Sequence, residues 1–539
     1  MRNWFKNNWL YCLLLTILIL IVYGNSLNNV FLSDDLAEIV NNPNIGNPGY
    51  NLGAHPFGFI RLIFYWLAFQ LGGLNPILFR SINIFFHIGS VFLIYGILSV
   101  LYSKRLAIIV ATVFAVHPAV SEAVVWISGG AYPQYTFFFL LSFLLYILSR
   151  GKKKYHSLSI ISYLFSFMSH PQMPLSLFLI FPLWEISLGS LKRNWLKTIP
   201  FLILSVVYML ITLNALPERT NTLQTVNYQE RGVDNPLMLI PVAISSYFEL
   251  IFWPKVLTLY HSELSFSPIQ FAVRIIITLF YFVITFITLK KSKQIFFWLS
   301  FFFVALLPTL TPFRLNWVVA ERYLYLPIIG IIIPLVFLFQ YLAKKIKVKQ
   351  LDLIIVSIIV LILSARTIIR NIDWKNEDNL WIATGKTSPS SPNTHNNLGD
   401  VYGRHGDKEA ALREFQTAIA IKPNYADAYH NLANTYRELN QTDKALENYQ
   451  KAIQFNPNLW QSYQNIAAIY YQNKQYNKAL EYLQKGIAIN PNNLNLRIAL
   501  GVVYLGKGEK DKAKEVFNLI LSVDPQNQFA RAGLVEANK

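Results

Sequence analysis

The sequence predicts an all-α chain in two parts, a polytopic membrane helix bundle followed by a helical solenoid, and three observations carry that expectation. First, 54% of the 539 residues are hydrophobic and 15% are aromatic, too apolar a mixture for an ordinary soluble domain. Second, the apolar residues gather between Trp9 and Ile369 in runs such as Leu10–Tyr23, Ile82–Leu101 and Ile269–Leu289. Several approach the ~20 residues that a helix needs to cross a bilayer. Third, beyond Asn371 such runs stop and a 34-residue rhythm begins.

The first part is read from charge as well as from hydropathy. The basic clusters Lys104-Arg105, Arg150 to Lys154, Lys192-Arg193 with Lys197, Lys290-Lys291 with Lys293, and Lys344 to Lys349 all sit in short gaps between apolar runs. Cationic residues there hold a loop on the cytoplasmic side. About eleven spans result, centred on residues 9–23, 80–101, 106–118, 134–149, 156–169, 173–189, 198–214, 269–289, 294–310, 324–342 and 350–369. An odd number puts the N-terminus in the cytoplasm and the repeat array on the opposite, non-cytoplasmic side. All five clusters then fall inside. Membrane topology thus accounts for most of the net charge of +18, and nucleic acid is not expected as a partner. Arg2 and Lys6 before the first run, with the poor cleavage sequence Gly24-Asn25-Ser26, predict an uncleaved signal anchor. The single cysteine, Cys12, cannot form an intramolecular disulfide.

Two long outer segments follow, residues 24–79 and 215–268. The apolar stretch Phe57–Gly73 carries Arg61, which suits a helix lying in the interface. Leu237–Trp253 is apolar enough to span, but one extra crossing would invert every later loop, so a re-entrant or interfacial helix is expected.

The second part is arithmetic. Pro423, Pro457, Pro491 and Pro525 recur every 34 residues, and so do Tyr402, Tyr436, Tyr470 and Tyr504. Ala411, Ala445, Ala479 and Ala513 keep the same beat, as do Leu398, Leu432, Ile466 and Leu500. This is the tetratricopeptide period, two helices per repeat. Small alanines let the paired helices approach, aromatics fill the gaps between repeats, and proline ends the second helix. The expected domains are a membrane domain over 1–370, a linker with a juxtamembrane helix over 371–391, and an α-solenoid over 392–539. Its four repeats lie near 392–425, 426–459, 460–493 and 494–527.

Ionisable residues in or beside the bilayer cost several kcal/mol unless paired or hydrated, which makes each one a functional candidate. Asp34-Asp35 follows the first span on the outer side, and a hydrated loop pair is the alternative reading. His117-Pro118 through Glu122 opens an amphipathic segment at a span's outer end, where plain burial of His117 is the alternative. Glu321-Arg322-Tyr323 sits at the outer mouth of the tenth span. There Arg322 either pairs with a nearby acid or meets a lipid phosphate, which its planar fork binds with two hydrogen bonds. No metal-ligand spacing appears, and no cofactor is expected.

These elements together carry a resemblance. Asn28 to Asp35 with Ile39 and Asn42-Pro43, Arg61, Asn75-Pro76 with Asn83 and His87, His117-Pro118 through Trp126, Glu321 through Pro327, and Trp381 before Asn396-Asn397-Leu398-Gly399 stand in a specific order. In that order the chain resembles the membrane and tetratricopeptide-repeat protein O-mannosyltransferases and their bacterial relatives, within the GT-C class that uses polyprenyl-phosphate sugars. The resemblance implies a GT-C-like bundle in a bacterial inner or plasma membrane, transferring a mannose-like sugar to a hydroxyl, protein Ser or Thr, with inversion. It implies that Asp34 or Asp35 is the base, with Asp34 favoured by analogy. Arg322 and Arg61 would then stabilise the departing lipid phosphate, Glu321 and Glu122 would orient these groups, and Tyr323 and His117 would line the donor site. A polypeptide acceptor or partner protein would lie on the repeats at Tyr429, Asn431, Tyr463 and Asn465. Two departures from the family pattern stand out. Relatives carry an arginine and then an acid after Trp126-Ile127-Ser128-Gly129, where this chain has Gly130-Ala131-Tyr132. They also carry lysine with glutamate or proline where this chain has His170-Pro171-Gln172-Met173. The competing class is a non-catalytic membrane-anchored scaffold for envelope complexes. A transporter fits less well, because the acidic residues gather at outer ends rather than in mid-span.

Overall fold

The computed structural model describes residues 2–54, 58–149, 152–214, 236–259, 261–263, 266–310, 317–346 and 350–539, with no strand among them. Residues 215–235 of the outer segment 215–268, together with Arg150, Lys347 and Lys349 of the basic clusters and Phe57, lie outside the described residues. The chain divides into two compact units, residues 1–388 and 389–539.

In the first unit the helices are α1 (Arg2–Tyr23), α2 (Pro48–Ala54), α3 (Ile60–Gly72), α4 (Pro76–Leu101), α5 (Lys104–Val116), α6 (Ser121–Val125), α7 (Ala131–Leu148), α8 (Lys153–Ser169), α9 (Ile180–Ser187), α10 (Leu191–Asn214), α11 (Pro236–Phe252), α12 (Pro268–Lys291), α13 (Lys293–Leu306), α14 (Ile329–Ile346), α15 (Leu351–Asp373) and α16 (Glu377–Thr387). Each segment expected to span contains helix, but 324–328 and the ends of 106–118 and 173–189 are 3-10 helix or turn, and eleven full-length spans are not seen among the described residues. Seven of these helices are long and apolar enough to cross alone, and α5 with the Pro118–Val125 segment makes an eighth, bent by 61°. The segments around α8, α9 and α13 are shorter, as are α3 and α11.

Caps mark the helix starts. The Asn75 side chain accepts the Ile77 N–H ahead of Pro76 at the first helical position, and Ser103 does the same for Leu106. Ser267 and Gln270 form a reciprocal capping box at the start of α12, whose last turn ends in Lys290 and Lys291, cations placed where the helix dipole is negative.

The bend after α5 has a definite cause. Pro118 has no N–H and cannot continue the ladder, so carbonyls near the break, buried inside the protein, need other donors. The Thr367 hydroxyl donates to the Val116 carbonyl at 2.7 Å. Beyond the break, α4 reaches across: Arg80 Nε donates to Val125 O at 2.7 Å, and Asn83 Nδ2 to Trp126 O at 3.0 Å and Ile127 O at 3.2 Å. Asn83 packs so closely that a Cβ on Gly130 would come within 1.9 Å of its Oδ1. Glycine is what this approach permits, and the first departure from the family pattern is built into the packing.

The second unit is a run of helix pairs, α17 (Pro392–Arg404) with α18 (Lys408–Ile421), α19 (Ala426–Glu438) with α20 (Thr442–Phe455), α21 (Trp460–Gln472) with α22 (Tyr476–Ile489) and α23 (Leu494–Lys507) with α24 (Lys510–Val523), closed by α25 (Gln528–Asn538). The periodic alanines are wholly buried between helices. Phe415 and Phe517 press against Gly399 and Gly501, one at the same position in the first and fourth repeats, which explains why those positions lack side chains.

Candidate functional site

The two adjacent aspartates are separated by the backbone. Ser33 adopts φ +53°, a left-handed conformation uncommon for a residue with a Cβ, and a five-residue π-helix over Leu36–Val40 follows. This geometry turns Asp35 inward. It is fully buried, and its Oδ1 accepts the Ser128 N–H at 2.8 Å and the Ser128 hydroxyl at 2.6 Å, while Oδ2 accepts the Leu32 N–H at 3.1 Å. Burial pushes Asp35 up to about 6, against the pull of those hydrogen bonds and of Arg80. Asp34 is exposed.

Beside it, Arg61 Nη2 pairs with Glu38 Oε1 at 3.1 Å, and Nη1 reaches the Ser128 carbonyl at 3.4 Å. Tyr65, one turn along α3, donates its hydroxyl to the Ile127 carbonyl. The amphipathic stretch expected at the interface therefore fastens its polar residues to the segment that follows the bend.

The pair Glu321-Arg322 does not close on itself. Arg322 binds Glu122 with its backbone N–H (2.8 Å to Oε2) and its guanidinium (Nη1 to Oε1, 2.5 Å). Glu122 is fully buried and Arg322 only 12% exposed. The guanidinium also lies over the Trp126 and Tyr323 rings, at 5.5 and 5.2 Å. Glu321 turns the other way. Its Oε1 accepts from Arg370 Nη2 at 3.0 Å and the Thr258 N–H at 2.5 Å, and both members of that ion pair are buried. Burial raises Glu321, with Arg370 opposing. His261 Nε2 stands 4.0 Å from Glu321; burial and the nearby charges of Arg370 and Arg322 push it down to about 3, keeping it neutral. Glu321 Oε2, His261 Nε2 and the Trp374 indole N–H make no hydrogen bond among the described residues.

His117 is part of the scaffold. One ring nitrogen, Nε2, bonds the Ile251 carbonyl at 3.0 Å, and Nδ1 accepts the Ala119 N–H at 3.2 Å. The two departures meet in space: the Tyr132 ring packs edge-on against His170 at 5.1 Å, and lies 6.0 Å from Tyr323.

One segment, residues 122–132, thus meets Asp35, Arg61 and Arg322 together. Glu122 holds Arg322, Trp126 underlies it, Ser128 holds Asp35 and contacts Arg61, and Tyr132 faces Tyr323 and His170. The reading from sequence missed Arg80, which donates to the carbonyls of Leu27, Asn29, Val30 and Val125 and so ties the first outer segment to this one. A lone arginine within the run Pro76–Leu101 was the signal for it. Glu38, His261 and Arg370 were also missed.

In the second unit, the four repeat residues are knit into their own surface. Asn431 Nδ2 donates to Asn396 Oδ1 at 3.1 Å, and Asn465 Nδ2 to Asn434 Oδ1 at 3.0 Å. Tyr429 stacks on Phe455 at 5.5 Å, and Tyr463 is nearly buried beside Tyr482.

Comparison with known proteins adds to this geometry. Models of the tetratricopeptide repeat match residues 405–436, 426–459, 448–481 and 470–536. Across both units the chain is 24% identical to the protein O-mannosyl-transferase F38B6.6 of Caenorhabditis elegans, covering 77% of this chain and 63% of that protein. It is 23% identical to mouse protein O-mannosyl-transferase TMTC3 (75% and 50%) and 26% identical to human TMTC4 (74% and 64%). The chain is similar to the protein O-mannosyl-transferases. It spans between half and just under two thirds of the length of these curated relatives.

Proposed function

We propose that this chain is an integral membrane glycosyltransferase that moves a sugar, mannose by its relatives' name, from a polyprenyl-phosphate donor to a hydroxyl of a polypeptide. The observation that carries the reading is the division of labour between the adjacent aspartates. Asp35 is spent as an anchor on Ser128, while Asp34 beside it stays open to solvent on a turn that is itself rigidly held. A base must be positioned but accessible, and only Asp34 meets both conditions.

In this reading Asp34 accepts the proton of the acceptor hydroxyl as that oxygen forms a bond to the anomeric carbon and the bond to the lipid phosphate breaks on the opposite face, inverting the centre. Proton transfer of this kind contributes about 10²–10⁴-fold. Arg322 lies in a nearly dry environment with Glu122 fixing one edge of its guanidinium, so its remaining N–H groups are preorganised for the charge that grows on the phosphate. Arg61 is held similarly by Glu38. Eleven crossings, with the repeats on the non-cytoplasmic side, would set this chemistry on the same face as the solenoid, where the polypeptide acceptor would bind.

The meeting of Tyr132 with His170, where relatives carry charge, favours one competing reading, a membrane-anchored scaffold that has lost catalysis. The test is sugar transfer by reconstituted protein from a panel of polyprenyl-phosphate sugars to an envelope extract. Asp34→Asn is expected to lower the rate at least 100-fold while Asp35→Glu lowers folded yield instead. Transfer that survives Asp34→Asn removes the assigned base, and no transfer with any donor, joined to partner capture by the full chain, favours the scaffold.

A further inference from the structure

Glu321 and Arg322 are neighbours in the chain, yet their side chains leave in opposite directions and meet again through three others. Arg322 lies over the Trp126 ring, 5.5 Å from its centroid. Trp126 stacks on Trp374, with ring centroids 5.9 Å apart and an interplanar angle of 22°, a separation at which aromatic pairs attract. The guanidinium of Arg370 lies 5.5 Å from the Trp374 centroid, and its Nη2 returns to Glu321 Oε1 at 3.0 Å. The path closes on itself: Arg322, Trp126, Trp374, Arg370, Glu321, and back along the chain to Arg322.

Closure matters because an arginine side chain turns about several bonds. Glu122 fixes only the edge of the Arg322 fork that it binds, and the tilt of the guanidinium plane is left to the ring beneath it. Trp126 has one tether of its own, its indole N–H on the Leu32 carbonyl at 3.4 Å. A single long bond at the ring's edge does not fix the ring plane, and the stacked face of Trp374 does. Trp374 is wholly buried at the end of α15, and its N–H makes no hydrogen bond among the described residues, so it acts here through its ring. Arg370, also wholly buried, is pinned on both sides, to Glu321 and to Asp373 Oδ2 at 3.0 Å. A guanidinium held by edge and by face keeps its remaining N–H groups aimed at one point. It needs no reorganisation when charge develops there.

We propose that Trp374 and Arg370 are positioning residues for Arg322: the end of α15 holds, through two stacked indoles, the guanidinium that meets the departing phosphate. The proposal rests on the function proposed above and adds to it residues that touch no substrate. The experiment uses the full chain in lipid nanodiscs and reads two things, sugar transfer per folded molecule and the rate at which phenylglyoxal modifies Arg322, followed by peptide mapping. Trp374→Leu removes the stack and is expected to lower kcat about 10- to 100-fold, the usual cost of a small misplacement. Donor KM is expected to change less than about twofold, because the contact that is lost forms only in the transition state. Trp374→Phe keeps a stacked ring and gives up an N–H that makes no hydrogen bond, and is expected to stay within about threefold of the wild type. Arg370→Lys, which keeps the charge on Glu321 but not the planar fork, serves if Trp374→Leu does not fold, with a kcat loss of about fivefold. Phenylglyoxal is expected to modify Arg322 at least tenfold faster in Trp374→Leu than in the wild type or Trp374→Phe. Equal kcat losses for Leu and Phe, a loss confined to KM, or an unchanged modification rate overturns the ring. A wild type that transfers no sugar removes the function proposed above, and the modification rates then decide the ring by themselves.

Discussion

The two units use opposite kinds of ion pair. In the repeats, Lys451 pairs with Glu447 and Lys485 with Glu481, four residues apart, exposed, and repeated at the 34-residue period. In the membrane unit, Arg322 reaches Glu122 across 200 residues and Arg370 reaches Glu321 across 49, and the four side chains are buried or nearly so. The first kind decorates a helix that alanine packing has already made. The second kind decides where helices lie, because a charge left alone in that setting is intolerable. Stability in the repeats is therefore spread over many equivalent contacts, and in the membrane unit it is concentrated in a few that have no substitute.

Stripping one partner from the buried kind should give the largest effect. Glu122→Ala or Arg322→Ala leaves an uncompensated charge and is expected to cost about 3–5 kcal/mol, read as detergent or thermal unfolding of the purified protein. Glu122→Gln, which keeps an acceptor for Arg322, should cost clearly less. Equal losses for Gln and Ala would show that the volume of Glu122 matters more than its charge.

Arg80 extends the comparison to a cation that serves carbonyls instead of a carboxylate. Arg80→Met keeps the volume and removes the donors for four backbone oxygens, and is expected to cost about 4 kcal/mol, the low end of four groups at about 1–3 kcal/mol each because water reaches some of them. Protease cleavage between residues 27 and 35, scored against the wild type, reports whether the first outer segment has come loose.

Asp35 sharpens it in pH. Its pKa in the folded chain is raised to about 6, from an ordinary value of 3.8. A carboxyl raised in this way binds its proton more tightly in the folded state, so its contribution to stability is complete below pH ~4 and is lost as pH rises through 6. The change is on the order of 2–3 kcal/mol at 1.36 kcal/mol per unit. Asp35→Asn should flatten that part of the stability profile measured between pH 4 and 7, and an unchanged slope would assign it to other groups.

The smallest effect belongs to the repeats. Lys451→Ala should shift the melting of the second unit by no more than about 0.5 kcal/mol, the usual worth of an exposed pair four residues apart. A larger loss would mean that its contact with the Tyr429 ring, 5.8 Å away, carries the difference.

The same contrast explains what could be read from the sequence. The solenoid was legible because each repeat repeats its local rules: Ala445 and Ala479 meet their neighbours at one fixed spacing, and period alone reveals them. The helices of the membrane unit were legible because apolar length is a local property. The partners of Asp35, Glu122 and Glu321 were not, because Ser128, Arg322 and Arg370 lie tens to hundreds of residues away and no periodicity links them. Even which of Asp34 and Asp35 is buried could not be read locally, since the backbone there turns through the positive φ of Ser33. Arg80 was within reach, since a lone cation in an apolar run is unusual by composition. Thr258 and His261 were not, because nothing local distinguishes them from other loop residues.

The 200-residue reach between Glu122 and Arg322 has a consequence for how the molecule is made. At about 5–20 residues per second of synthesis, Glu122 is delivered to the membrane roughly 10–40 s before the arginine that neutralises it exists. During that interval the bent hairpin must keep its carboxylate hydrated at the membrane boundary or protonated, or be sheltered by the insertion machinery. Maturation of this site is thereby timed by the arrival of its last helices, and a nascent chain halted before residue 322 would carry an orphan charge that quality control can recognise.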